Sequence, residues 1–143
     1  MRKILLLQGA NMIRLGSRQP EVYGTTTAKE LDAVLLDYAA SRDIELSIFY
    51  TNSEGDAIDK LYDAEDGRYD AVVMNPGGFT RAGFALLGCM KGIKIPVIEI
   101  HMTNHFAGTT HSACAAGARG VIMGFGIKTY FLGLDAASHI LEG

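Results

Sequence analysis

The chain has 143 residues, the length of one domain, so a single unit spanning 1–143 is expected. Hydrophobic residues make up 48% and charged residues 20%, which supports a packed core and argues against disorder. A net charge of −3 with no basic block argues against nucleic-acid binding through a broad electrostatic footprint and leaves room for a small anionic ligand. Cys89 and Cys114 have neither metal-ligand spacing nor the density of a disulfide scaffold. The apolar run Ile4–Leu7 is too short for a signal peptide, and nothing approaches a membrane span. The expectation is a soluble cytoplasmic protein without membrane contact.

Lys3–Gln8 is a near-continuous apolar run, as in a strand covered on both faces, and Gly9-Ala10-Asn11 ends it. Asn11 falls where such a strand delivers a residue to the ligand crevice, although an ordinary turn Asn would read the same way. Gly16 to Gly24 follows as a loop with glycines at both ends and Pro20 within, which suggests a hinged lid. It carries Arg18 and Tyr23. Thr27-Ala-Lys-Glu30 is a capping box for a helix to about Ser41. Ile44–Tyr50 alternates as a second strand, nearer an edge. Ser53 caps a helix to about Glu65, with Glu54 and Asp56 favourably placed in its first turn and Asp59, Asp63, Glu65 and Asp66 on its solvated face.

Asp70–Met74 is a third strand that runs into a tight turn, Asn75-Pro-Gly-Gly78. Phe79–Lys91 reads as a short apolar helix, made irregular by Gly83 and Gly88. Lys94–Ile100 is a fourth strand leading to Glu99-Ile-His101-Met-Thr-Asn104-His105. Phe106–His111 is a loop, Ser112–Ala118 a small-residue segment of one or two helical turns, and Gly120–Met123 a fifth strand. Gly124-Phe-Gly126 turns into a last helix ending near Leu141. Five β-α units in a short chain imply an α/β fold, a doubly wound five-stranded parallel sheet of flavodoxin-like order 2-1-3-4-5. The crevice then lies between the ends of strands 1 and 3, beside strand 4. It gathers Asn11, the lid, Asn75–Gly78 and Glu99–Asn104.

Glu99 and His101 share a face of an extended strand, so Glu99 can hold one imidazole nitrogen and leave the other free to move a proton. A His bonded to backbone at a strand end is the plainer alternative. Asn75 with the N–H groups of the following turn can form a small anion-accepting nest, or simply a tight glycine turn. Tyr23 as a base needs its pKa lowered, and the permanently charged Arg18 favours phenolate. A base and an acid facing one another suit proton abstraction next to a carbonyl and loss of a β-hydroxyl as water. No Walker pattern or Gly-x-Gly-x-x-Gly turn follows strand 1, which disfavours a nucleotide or flavin domain. His101, His105 and His111 lack ligand spacing, so no metal is expected, and such a loop cluster commonly faces solvent.

Leu5-Leu-Leu-Gln-Gly-Ala-Asn11, Gly16-Ser-Arg-Gln-Pro-Glu-Val-Tyr-Gly24, Thr51-Asn-Ser-Glu-Gly55, Met74-Asn-Pro-Gly-Gly-Phe-Thr80, Pro96-Val-Ile-Glu-Ile-His101 and Gly120-Val-Ile-Met-Gly-Phe-Gly126 occur together in this order. Together they resemble the type II 3-dehydroquinate dehydratases along nearly the whole chain. The resemblance implies cofactor-free trans-dehydration of a carboxylated β-hydroxy ketone through an enolate, within a trimer or a dodecamer of four trimers. By motif it makes Tyr23 the base and Arg18 its activator. Asn11 becomes a stabiliser of the enolate step, and His101 the general acid partnered by Glu99. Asn75 with Gly77, Gly78 and the backbone at Met102 and Thr103 becomes the carboxylate corner.

The sequence departs from the family pattern at several points. Gln8, Ala10 and Ile13 replace residues of the family's Asn-Gly-Pro-Asn-Leu-Asn, and Asn52-Ser53-Glu54-Gly55 stands for Asn-His-Glu-Gly. Thr80-Arg81 stands for Thr-His, and Leu87-Gly88 for Arg-Asp. Phe106-Ala-Gly-Thr-Thr-His111 is shorter and has no Arg. By the resemblance, the changes at Arg81 and in 106–111 remove the His and Arg that read ring hydroxyls, which should relax or redirect recognition. Arg81 either meets a different anionic group or points to solvent. Gly88 puts the contact between trimers in question. A non-catalytic binding or assembly subunit is the rival expectation.

Overall fold

In the computed structural model, which describes residues 1–108 and 111–143, one parallel sheet organises the chain in the order β2-β1-β3-β4-β5. The strands are β1 (Arg2–Ala10), β2 (Ile44–Tyr50), β3 (Ala71–Gly77), β4 (Val97–His101) and β5 (Gly120–Met123). The helices are α1 (Pro20–Tyr23), α2 (Ala28–Ser41), α3 (Glu54–Asp63), α4 (Phe84–Gly92) and α5 (Lys128–Glu142). Side chains alternate across a strand, so the run Ile4–Leu7 fills two cores at once. Ile4 and Leu6 pack with Leu31 and Leu35 of α2 and Tyr130 and Leu134 of α5. Leu5 and Leu7 pack with Ala57 and Leu61 of α3 and Leu86 and Met90 of α4. Each such fully buried side chain stabilises the fold by roughly 1.5–3 kcal/mol.

The expected boundaries hold closely for β2, β5 and α2. Both bonds of the capping box form, from Glu30 N to Thr27 Oγ1 (3.1 Å) and from Thr27 N to Glu30 Oε1 (2.9 Å). Elsewhere the structure refines the reading. β3 continues past Met74 to Gly77, because β1 extends to Ala10 and pairs with it (Ala10 opposite Gly77). The turn comes one step later, as a 3₁₀ segment at Gly78–Arg81. Gly88 causes no irregularity inside α4, whereas Gly83 ends up as its N-cap. The Ser112–Ala118 segment contains a single 3₁₀ turn at Ala115–Gly117. Of the loop 106–111, residues 109 and 110 lie outside the described residues. Glu65 is not merely solvated, because its Oε2 accepts from Lys94 N at 2.7 Å.

A glycine N-cap has no side chain to satisfy the first N–H groups of α4. Glu54, in the first turn of α3, supplies the missing acceptor: Leu86 N donates to its Oε2 at 2.9 Å. Ser53 Oγ meanwhile accepts from Asp56 N and caps α3 itself. Glu54 thus joins two helices under the same half of the sheet. Glu54→Ala is expected to cost about 1–2 kcal/mol. A urea titration should show this as a lower midpoint at unchanged slope.

Candidate active site

The C-terminal ends of β1, β3 and β4 surround a cavity of about 320 Å³, room for one small ligand. Asn11, Arg18, Tyr23, Asn75, Gly77, Gly78, Arg81, His101, Met102 and Thr103 all line it. These are every expected site residue except Glu99, which stands behind His101. No Asp or Glu is among its described lining residues.

The segment expected to be a plain loop is partly helical. Arg14 O accepts from Ser17 N and Arg18 N, and Gln19 O accepts from Val22 N and Tyr23 N. The second pair closes the single turn of α1. Pro20 stands at its first position, where its fixed φ suits a helix and its missing N–H costs nothing. Gly16 and Gly24 both have positive φ, 93° and 81°, and so mark the segment's two bends. The turn brings Tyr23, half-buried against the core, under Arg18, whose guanidinium carbon lies 5.8 Å from the ring centroid. Arg18 is exposed and forms no ion pair with an acidic side chain among the described residues.

On the opposite wall, β4 ends in His101. Its Nε2 is 2.7 Å from Glu99 Oε2, with both residues buried (3% and 0% exposed). That bond engages Nε2, so Nδ1 is the ring nitrogen Glu99 leaves free. Glu99 Oε1 is buried with no hydrogen-bond partner, which makes the carboxyl group dependent on His101. The ring of His105 packs edge-on against His101, centroids 4.0 Å apart, and lines the cavity. The expectation of solvent-facing loop histidines therefore fails for His105. The signal was its place four residues after His101, on the loop leaving a strand at the crevice.

Asn75 is 4% exposed, and its amide is held at both ends. Oδ1 accepts from Gly77 N at 3.1 Å, and Nδ2 donates to Tyr130 Oη at 2.9 Å. The tight turn and the polar corner are thus the same structure. One N–H of the expected nest, that of Gly77, is already used within it. Gly77 adopts φ 55°, and a Cβ there would sit 2.3 Å from Ala10 O. At Gly78 a Cβ would meet Ala10 Cβ at 3.0 Å and Asn11 Nδ2 at 3.2 Å. The two glycines let the end of β3 fold down onto Asn11, whose own N–H donates to Asn52 Oδ1 at 2.9 Å.

Sequence reasoning also missed a polar row beneath the site. Tyr50, Gln8 and Asn75 are register partners on adjacent strands and point to the same face. Tyr130, from α5, donates to Gln8 Oε1 at 2.9 Å, and Tyr50 donates to Asp32 Oδ1 at 2.8 Å. Burial pushes the Tyr130 hydroxyl up to about 12 and raises Tyr50 further, so both remain proton donors at neutral pH. The available signal was Gln8 itself: a glutamine in a strand covered on both faces must be hydrogen-bonded. Among the described residues no cluster of His, Cys, Asp and Glu suits a metal ion, and no helix is long and apolar enough to cross a membrane.

Comparison with known proteins gives the family. A 3-dehydroquinate dehydratase of Bacillus licheniformis is 43% identical over 138 residues, covering 94% of each chain. One from Syntrophotalea carbinolica is 39% identical over 145 residues, covering 99% of this chain and 98% of its own. The crystal structure of the type II dehydroquinase of Butyrivibrio crossotus superposes with a TM-score of 0.92 at 30% identity, over 96% of this chain and 97% of that one. The family model described as dehydroquinase class II matches residues 2–138. With that span matched, and with relatives this similar over nearly their full length, the chain belongs to the class II dehydroquinase family.

Proposed function

We propose that this protein is a 3-dehydroquinate dehydratase, a hydro-lyase that removes water by trans-elimination through an enolate and needs no cofactor. The observation that carries the reading is the pairing within one cavity of Tyr23 beneath Arg18 and of His101 against Glu99. Tyr23, as phenolate, takes a proton from the carbon next to the ketone. The electron pair moves onto the carbonyl oxygen as an enolate, with Asn11 close to it. The enolate collapses, the β-hydroxyl leaves with a proton from His101, and the net change is loss of one water. Arg18 places a fixed positive charge over the Tyr23 ring, 5.8 Å from its centroid. Glu99 holds the imidazole so that Nδ1 faces the leaving group. Asn75, Gly77, Gly78 and the backbone at Met102 and Thr103 receive the substrate carboxylate.

Arg81 is exposed at the rim and attracts the anionic substrate. Arg81→Ala should raise KM by about fivefold at most, as for an exposed ion pair, and leave kcat unchanged. The difference should shrink as salt is added. Two buried free cysteines, Cys89 and Cys114, suit a reducing cytoplasm. Exposed Phe84 (69%), Phe106 and Phe125 support assembly into a homo-oligomer, a trimer or a dodecamer.

Labelled substrate tests the mechanism. 3-Dehydroquinate carrying deuterium on one or the other face of the carbon beside the ketone is turned over, and the product is examined by mass spectrometry. Loss of the label anti to the departing hydroxyl is expected. Loss of the syn label contradicts a base and an acid acting from opposite walls.

A further inference from the structure

Asn75 could in principle be seated with its amide either way round. If flipped, Nδ2 would face the Gly77 N–H, donor against donor, while Oδ1 would face Tyr130. Tyr130 has a single proton, and it is given to Gln8 Oε1. The hydrogen bonds therefore run in one direction, from the Asn75 amide to the Tyr130 hydroxyl to the Gln8 carbonyl, and the Gly77 N–H fixes the end of the series. In this arrangement Oδ1 and one Nδ2–H are occupied within the protein. The second Nδ2–H is the one part of the amide left for the cavity that Asn75 lines. Tyr130 and Gln8 do not line that cavity. Both are buried, at 1% and 0% exposure, beneath it.

We infer that Tyr130, held by Gln8, is a positioning residue that orients the Asn75 amide so that one N–H points at the substrate carboxylate. The inference rests on the proposed function for its substrate but not for its geometry. Neither residue touches ligand, and each acts through Asn75. Gln8 is itself fully buried, and its Oε1 accepts the Tyr130 proton, which holds that hydroxyl in place beside Asn75.

The test uses Tyr130→Phe, which keeps the ring and deletes only the hydroxyl, and the double variant Gln8→Leu/Tyr130→Phe, which also removes the buried amide left without partners. Tyr130→Phe should raise KM for 3-dehydroquinate roughly tenfold with kcat nearly unchanged, as expected when ground-state and transition-state binding are lost equally. It should also lower the melting temperature. The double variant should recover melting temperature while KM stays high, a split that a purely structural role would not produce. A third readout needs no substrate. The side-chain amide signals of Asn75, assigned by their absence in Asn75→Ser, should include one displaced, slowly exchanging proton in the parent protein, and in Tyr130→Phe that proton should shift toward the position of a free amide and exchange faster with solvent. Unchanged KM and unchanged amide signals overturn the inference, as does KM recovering together with melting temperature in the double variant. If the parent protein turns over no 3-dehydroquinate, the proposed function fails, and the amide signals alone decide the positioning role.

Discussion

Tyr23→Phe is expected to lower kcat for 3-dehydroquinate by about 10²–10⁴, the range for loss of a positioned general base. KM should change little. The phenol hydroxyl is all that is removed, and the corner proposed to receive the carboxylate, at Asn75 and Gly77, lies on a different element. The fold should also be untouched, because Tyr23 is only half-buried and α1 is closed by backbone N–H groups that donate to Gln19 O and Pro20 O. Stopped assays on matched preparations, with circular dichroism and a thermal melt on the same samples, check all three points. Arg18→Ala, which removes the cation 5.8 Å from the Tyr23 ring centroid, should move kcat in the same direction. Full turnover by Tyr23→Phe would remove Tyr23 from the mechanism.

His101→Ala is expected to damage activity and stability together. Glu99 is fully buried, its Oε1 is already unpaired, and its Oε2 is bonded to His101. Without the imidazole neither carboxyl oxygen keeps a hydrogen-bond partner among the described residues. Removing one member of such a pair costs about 3–5 kcal/mol. Under the proposed role of His101 as general acid, its loss should also lower kcat by a factor of about 10²–10⁴. Glu99→Gln separates the two effects. It keeps a hydrogen-bonding group of the same shape against Nε2, so the melting temperature should stay near that of the parent. It removes the carboxylate's negative charge beside the imidazole, so kcat should still fall. An unfolding titration beside steady-state kinetics for both variants shows whether the split occurs.

The order of the sheet and most element boundaries could be read from the chain because the signals are local and consistent. Ile4–Leu7 must be covered on both faces, Thr27 and Glu30 cap each other, and strands alternate with helices throughout. The cavity-lining residues could be read for a related reason, since strand ends in a parallel sheet converge on one crevice. What escaped the sequence depended on contacts between distant segments. α1 forms because Pro20 follows a residue, Gln19, held at φ 45°, and that backbone state leaves no mark in the sequence. The α4 cap comes from Glu54, thirty-two positions earlier than its partner Leu86. Tyr130 reaches Gln8 across 122 positions. His105 was misjudged because His101, His105 and His111 look alike in the sequence until the His105 ring is seen against His101 at the end of β4.

The most direct single measurement is the initial rate of enone absorbance when the purified parent protein meets 3-dehydroquinate over a range of concentrations. If Tyr23 and His101 act as base and acid in this cavity, absorbance rises with a rate that saturates in substrate, without added metal or cofactor. No rise at concentrations where the ligand demonstrably binds would contradict the dehydratase reading and leave a family member that only holds its ligand.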